Sequence, residues 1–212
     1  MKNNKYNTPI FQNLSYGGGG GTVEGLDTST ITDFSYFGQN NRFGTGEILT
    51  GLNTKSGTNF SGMFSNCRSL TTIPQLDTSN GTNFSGMFDN CSNLTTIPQL
   101  NTSKGTFFSR MFNNCRSLTT IELTSFVSSD NIFYNCSALE NLTVTGTITV
   151  NDNSLNLSGS PLLTVESLMS VINALEDNTG KTTYTVTLGE TNLAKLTDEQ
   201  KQIAIDKNYT LA

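Results

Sequence analysis

Four cysteines recur along the chain at nearly constant spacing, and they are its most obvious candidates for metal or redox chemistry. Cys67, Cys91 and Cys115 lie 24 residues apart, and Cys136 follows 21 residues later. Such a period is typical of a solenoid, in which equivalent residues of neighbouring turns lie about 4.8 Å apart. Four thiolates share one zinc ion only when each sulfur lies about 2.3 Å from it, so this spacing disfavours a zinc site. We predict no metal site and no cofactor.

The same cysteines are expected to be buried. Each belongs to the pattern Phe-x-Asn-Cys-x-x-Leu, and its apolar residues are predicted to point inward in every copy. A cysteine in that setting behaves as a small hydrophobic residue, which favours free thiols. Distance alone leaves disulfide bonds between neighbouring copies open.

Other residue types offer little for catalysis. The sequence contains no histidine, which excludes Ser-His and Cys-His nucleophiles. A mechanism with paired carboxylates stays formally open. However, Asp27 and Asp77 stand beside Thr-Ser in predicted bends, where an Asx turn is the ordinary role, and Asn53 and Asn101 fill the same register. We therefore predict no catalytic residues, and that the chain is not an enzyme.

The composition indicates a neutral, polar surface. Charged residues make up 14% of the chain and hydrophobic residues 34%, so Thr, Ser, Asn and Gly must cover most of the exterior. Such a surface is typical of a β-rich extracellular or virion protein. The net charge of −5, without a basic run, argues against nucleic-acid binding, and we expect no nucleic-acid partner. No apolar stretch approaches the roughly 18 to 20 residues of a membrane-spanning helix, so we expect no membrane insertion.

A repeat longer than the cysteine pattern must position these residues. Leu26, Leu52, Leu76 and Leu100 mark successive turns. Stacking of the turns predicts two inward ladders, which are Phe64, Phe88, Phe112 and Phe133, and Leu70, Leu94, Leu118 and Leu139. Strands are predicted near residues 73, 97, 122 and 143, and period-2 alternation is clearest at 121–123 and 142–144.

From residue 161 the pattern changes to helices and strands. Thr164 is a predicted N-cap of a helix that ends before Gly180, and residues 183–188 alternate as a strand. Thr197 and Gln200 form a predicted capping box for a second helix, and a last strand is expected at 209–211. We expect these elements to close the C-terminal end of the solenoid.

The N-terminus is predicted to be a docking arm. Its apolar residues precede five glycines, 17–21, that form a flexible linker without the residues of a phosphate-binding loop. These arm residues are Pro9, Ile10, Phe11, Leu14 and Tyr16. A disordered tail is the alternative. No apolar stretch follows Lys2 and Lys5, so we do not expect a secretory signal.

The repeated residues closely resemble the BspA-like class of leucine-rich repeats of bacterial surface proteins. The resemblance rests on Leu-Asp-Thr-Ser-Asn-x-Thr-Asn-Phe-Ser-Gly-Met-Phe-x-Asn-Cys-x-Ser-Leu-Thr-Thr-Ile and covers residues 26–145. It implies a right-handed, leucine-rich-repeat-like solenoid with one parallel β-sheet, non-enzymatic and used for attachment. We divide the chain into an arm with its glycine linker (1–21), the solenoid (22–150), and strand-and-helix capping repeats (151–212).

The outward positions of the predicted strands form a candidate binding face rich in short hydroxyl groups. Its residues are Thr72, Pro74, Thr96, Pro98, Thr120, Glu122, Asn141, Thr143 and Thr145. A carbohydrate or a protein partner would suit this face. The alternative is that a solvated sheet simply needs threonine.

Together these features predict a phage virion surface protein. The arm would dock on a virion structural protein of a capsid or tail, and the solenoid would be displayed as a decoration or host-attachment module that binds a host surface protein or glycan. The alternative is an adhesin that is secreted or held on a bacterial cell surface.

Overall fold

The structure, a computed structural model, describes residues 27–40, 51–152 and 154–212 of the 212-residue chain. The predicted arm, the glycine linker and Leu26 lie outside these residues. The described strands are β1 Thr120–Leu123, β2 Phe126–Val127, β3 Asn141–Val144, β4 Ile148–Thr149, β5 Tyr184–Val186 and β6 Tyr209–Leu211. The described helices are α1 Val165–Ala174, α2 Glu190–Leu193 and α3 Asp198–Asp206.

Successive copies of the repeat are joined side by side in parallel register. Asp33, Asn59, Asn83 and Phe107 form a chain of parallel bridges through four copies. In the segment that follows, the Phe60 N–H donates to the Asn83 carbonyl at 2.8 Å, and equivalent bonds recur in the next copies. Each turn therefore satisfies its backbone groups on the turn beside it.

Regular strands form late in the array. β1 pairs with β3 in parallel register, β2 with β4, and β5 with β6. The strands predicted near residues 73 and 97 are wrong, because the structure has only separate contacts there, such as the 3.0 Å bond from the Thr95 N–H to the Thr71 carbonyl. Pro74 and Pro98 lack the N–H that a ladder needs, whereas Glu122 fills their register in β1.

Two columns of phenylalanine rings fill the core. Their centroids lie 5.5–5.9 Å apart within a column, with the rings 5–17° from parallel. The columns are Phe34, Phe60, Phe84 and Phe108, and Phe64, Phe88, Phe112 and Phe133. The predicted leucine ladder is fully buried. Each stacked pair contributes roughly 0.5–1.5 kcal/mol beyond the burial of its apolar area.

In each copy, the backbone around these phenylalanines adopts the left-handed conformation at two fixed positions. One is the asparagine before each cysteine, where Asn66, Asn90 and Asn114 have φ of 61°, 60° and 59°. Asparagine adopts this conformation more readily than most residues. The second position is held by Tyr36, Gly62, Gly86, Arg110 and Asn131, with φ of 56–61°.

The C-terminal segment packs on the last copy. The Ser167 hydroxyl of α1 accepts from the Leu142 N–H at 3.0 Å and donates to the Glu140 carbonyl at 2.9 Å, so it completes the open edge of β3. The N-cap at Thr164 and the capping box at Thr197 and Gln200 are confirmed. Helix α2, which begins after Gly189, was not predicted.

The parallel register and the buried ladders support the expected repeat architecture. Its assignment as a right-handed leucine-rich-repeat solenoid stays a prediction, as do the three domain boundaries.

Candidate binding face

The predicted binding face is built on the register of β1 and β3. Thr96 bridges to Thr120, which pairs with Asn141, so three copies place these side chains in one row. Glu122 pairs with Thr143 in the row beside it. Thr72, Thr96, Thr120, Asn141, Thr143 and Thr145 are exposed, and Pro74, Pro98 and Glu122 are partly exposed. We call these nine residues the threonine face.

Alternation of buried and outward residues orients the threonine face. Ile121 and Leu123 of β1, and Leu142 and Val144 of β3, are buried in the core. Because successive strand residues point to opposite sides, the residues between them must point to solvent.

A shallow groove of about 370 Å³ borders the threonine face. Its lining includes Gln75 and Gln99, each directly after a proline of the face, and Asp77 and Asn101 at the next bend. The Gln75 Nε2 group donates to the Gln99 carbonyl at 3.0 Å, which fixes one wall. Sequence reasoning missed this groove, although the repeated Pro-Gln pair was a visible signal for it.

The bend residues that line the groove have a structural explanation. Asp77 Oδ1 accepts from the Ser79 hydroxyl at 2.6 Å and from the Ser79 N–H at 3.1 Å, and these two bonds lower the pKa of the carboxyl group. Asn101 makes the same pair of bonds with Ser103. The predicted Asx turns are therefore confirmed, and the carboxylate of Asp77 stays ionised at neutral pH.

The cysteines form a buried column of free thiols. Each Sγ donates to a carbonyl of the preceding copy, as Cys136 does to Phe112 at 3.1 Å and Cys115 to Phe88 at 3.1 Å. Burial raises the pKa of Cys136 to about 12 and the pKa values of Cys91 and Cys115 well above normal. Such thiols are unsuited to nucleophilic attack, which needs the thiolate. No group of three potential metal-ligating residues occurs in the described ranges.

Exposed aromatic residues lie elsewhere on the repeat. Phe107 is 61% exposed, Tyr36 55% and Tyr134 53%. None belongs to the threonine face. Sequence reasoning missed them because it assigned aromatic residues of the repeat to the core as a group.

Comparison with known proteins identifies the family. Residues 8–126, more than half of the 212 residues, match the family described as "Mycoplasma protein of unknown function, DUF285". The chain belongs to the DUF285 family. DUF285 is related to BspA-like repeat proteins, so the resemblance drawn from the repeat is confirmed at that coarser level. Searches of curated proteins and of solved structures found no match.

The DUF285 match begins at residue 8, so it includes the five apolar residues of the arm, the threonine face up to Glu122, and the groove up to Thr124. It ends within β2, so the rest of β2, β3 to β6 and the three helices that the structure describes lie beyond it. Within the described part of the chain, none of the helices has the length and apolarity to cross a membrane.

Proposed function

We propose that the chain is a non-enzymatic attachment module whose contact surface is the threonine face together with its groove. The observation that carries this proposal is the row formed by Thr96, Thr120 and Asn141, in which three copies present short polar side chains at strand spacing. Function conferred by a repeat surface is expected to extend over several copies rather than to sit at one centre.

The chemistry of this surface suits many weak polar contacts. Hydroxyl and carboxamide groups both donate and accept hydrogen bonds, and Glu122 supplies one charge near the centre of the face. The amide of Gln99 and the free carboxylate oxygen of Asp77 extend these groups into the groove. A glycan or a polar protein surface fits such an array, and several copies of the module on one particle would multiply a weak affinity.

The placement that we propose is a virion. An apolar cluster ahead of five glycines is what a peptide that docks on a capsid or tail protein requires, since the linker lets the repeat domain point away from the attachment site. The second placement is a bacterial cell surface or secreted adhesin, which is favoured by a family description that refers to Mycoplasma.

Charge substitutions on the threonine face test the contact surface. The labelled full chain is titrated onto a panel of intact bacterial and animal cells, some pretreated with protease or periodate to remove protein or glycan receptors. A variant with Thr96→Lys, Thr120→Lys and Thr143→Lys should bind at least tenfold more weakly than the unaltered chain.

A second threonine row supplies the matched control. Thr58, Thr82 and Thr106 are also exposed and occupy another column, which shares two copies with the tested residues and in which each hydroxyl donates to a carbonyl of the preceding copy. The corresponding triple lysine variant should bind like the unaltered chain. Equal losses in both variants, or no loss in either, would contradict the assignment of the face.

Deletion of residues 1–21 tests the placement separately. The shortened chain should keep its circular dichroism spectrum and cell binding but no longer copurify with virions. Copurification of the deleted form at the level of the full chain would overturn the virion placement. It would not affect the proposal that the threonine face is the contact surface.

A further inference from the structure

One copy of the repeat differs from the two copies before it at two exposed positions of the same segment. Phe107 stands in the register of Asn59 and Asn83, and Arg110 stands in the register of Gly62 and Gly86. The two residues lie at most about 11 Å apart along the backbone, because three residues span no more than that.

Both departures are unfavourable for folding. In the two preceding copies the asparagine Oδ1 accepts from a serine N–H, as Asn83 does from Ser85 at 3.0 Å, and phenylalanine cannot make that bond. Phe107 instead leaves its ring 61% exposed to water. Arg110 adopts φ of 59°, a conformation that a residue with a Cβ disfavours and glycine does not. Unfavourable features of this kind cluster at binding sites.

The two side chains together have the composition of an interface hot spot, where aromatic residues and arginine are enriched. Arg110 is exposed and forms no ion pair with any residue that the structure describes. The matching surface must therefore offer an apolar group beside a carboxylate.

Helix α3 of the same chain presents such a surface. Its Ile205 is 51% exposed and is followed by the exposed Asp206, whose Oδ1 accepts from the Gln202 amide at 2.7 Å. Glu199 lies exposed two turns earlier. Among the described residues neither Glu199 nor Asp206 takes part in an ion pair, so both carboxylates are available to a partner.

We propose that two molecules of this chain associate through these surfaces. Ile205 and Asp206 of one molecule would lie on Phe107 and Arg110 of the other. The Ile205 side chain packs on the ring, and the Asp206 carboxylate binds the guanidinium group, which is the charged pair with the best geometry. The two surfaces differ, so the contact is heterologous. In a dimer one molecule keeps its repeat surface free and the other keeps its α3 surface free.

The contact is expected to be transient. Two apolar side chains and one ion pair fall short of the roughly 800 Å² per partner of a stable interface. Association should therefore depend on concentration, and salt should weaken it because the ion pair is exposed.

Sedimentation velocity of the full chain over a wide concentration range tests the proposal. The weight-average mass should rise with concentration, and less so in 0.5 M salt. Introducing the residues of the two preceding copies, Phe107→Asn with Arg110→Gly, should lower the association constant at least tenfold while the melting temperature stays the same or rises. Leu162, exposed to 52% outside both surfaces, gives the matched control, and Leu162→Asn should change nothing.

A mixing experiment distinguishes this contact from general stickiness. The Phe107→Asn, Arg110→Gly variant keeps α3 intact, and an Ile205→Gln, Asp206→Lys variant keeps the repeat surface intact. Each alone should stay monomeric, whereas the mixture should form dimers and nothing larger. A monomeric unaltered chain at all concentrations, or association that persists in the variants alone, would overturn the proposal.

Discussion

Two glycines in the same column, Gly62 and Gly86, allow backbone strain to be separated from side-chain contact. Their φ angles are 60° and 61°, so alanine at either position pays the same left-handed backbone penalty of roughly 1–2 kcal/mol. Alanine also reduces the conformational entropy of the unfolded chain, which offsets about 0.4–1 kcal/mol of this penalty. The net loss from the backbone is therefore about 1 kcal/mol at each site.

The surroundings of the two glycines differ. A Cβ at Gly86 would meet nothing nearer than the Asp89 Cβ at 3.7 Å, an ordinary contact. A Cβ at Gly62 would lie 2.5 Å from Cε1 and 2.6 Å from Cδ1 of Tyr36, so the ring must move away. Tyr36 is 55% exposed, so its ring has somewhat less than half of the burial energy of a fully buried large side chain, which is roughly 1.5–3 kcal/mol. Moving the ring away would therefore lower the free energy of unfolding by about 1 kcal/mol more.

We therefore expect Gly86→Ala to lower the free energy of unfolding by about 1 kcal/mol and Gly62→Ala by about 2 kcal/mol. Urea unfolding followed by circular dichroism measures both, and about 1 kcal/mol corresponds to a melting shift of roughly 2–4 °C in a chain of this size. In a Tyr36→Ala background the two losses should become equal. Equal losses with Tyr36 present would refute the reasoning.

Four further predictions concern the buried thiols and the packing of the C-terminal segment. The four thiols should fail to react with Ellman's reagent at pH 8 in the folded protein and react fully in urea. Because the pKa of Cys136 is raised to about 12, the folded state retains a proton that the unfolded state loses above about pH 8.5, so stability to urea should fall as pH rises from there toward 12. Ser167→Ala leaves the Leu142 N–H without its acceptor and should cost about 1–3 kcal/mol in thermal unfolding. Lys207→Met removes donors to the carbonyls of Ile172, Asn173 and Leu175, and should speed hydrogen exchange near the end of α1.

The sequence was sufficient to predict features that depend on repeated local chemistry. Phe, Cys and Leu recur at the same spacing in every copy, so equivalent residues must have the same surroundings in the stack. Because these residues are apolar, their burial could be predicted directly. The caps at Thr164 and Thr197 were likewise predictable, since a side-chain oxygen and a nearby backbone N–H define them locally.

Features that depend on one substituted residue were harder to predict. Pro74 and Pro98 interrupt the ladder that Glu122 permits, although the three occupy the same register. The groove needs side chains from adjacent copies at once, and exposure of Phe107 follows from which of two neighbouring phenylalanines turns inward. Such outcomes are decided by packing between copies and not by the local pattern.

The two faces of the copy at 77–100 are nearly interchangeable. Phe84 stacks on Phe60 at 5.7 Å and on Phe108 at 5.5 Å, with hydrogen bonds of the same pattern on both sides. An additional turn of identical sequence would thus find compatible neighbours on either side of this copy. Each such insertion or deletion of a copy would lengthen or shorten the module by about 4.8 Å. The length of the module can therefore change by whole copies without any new kind of packing contact.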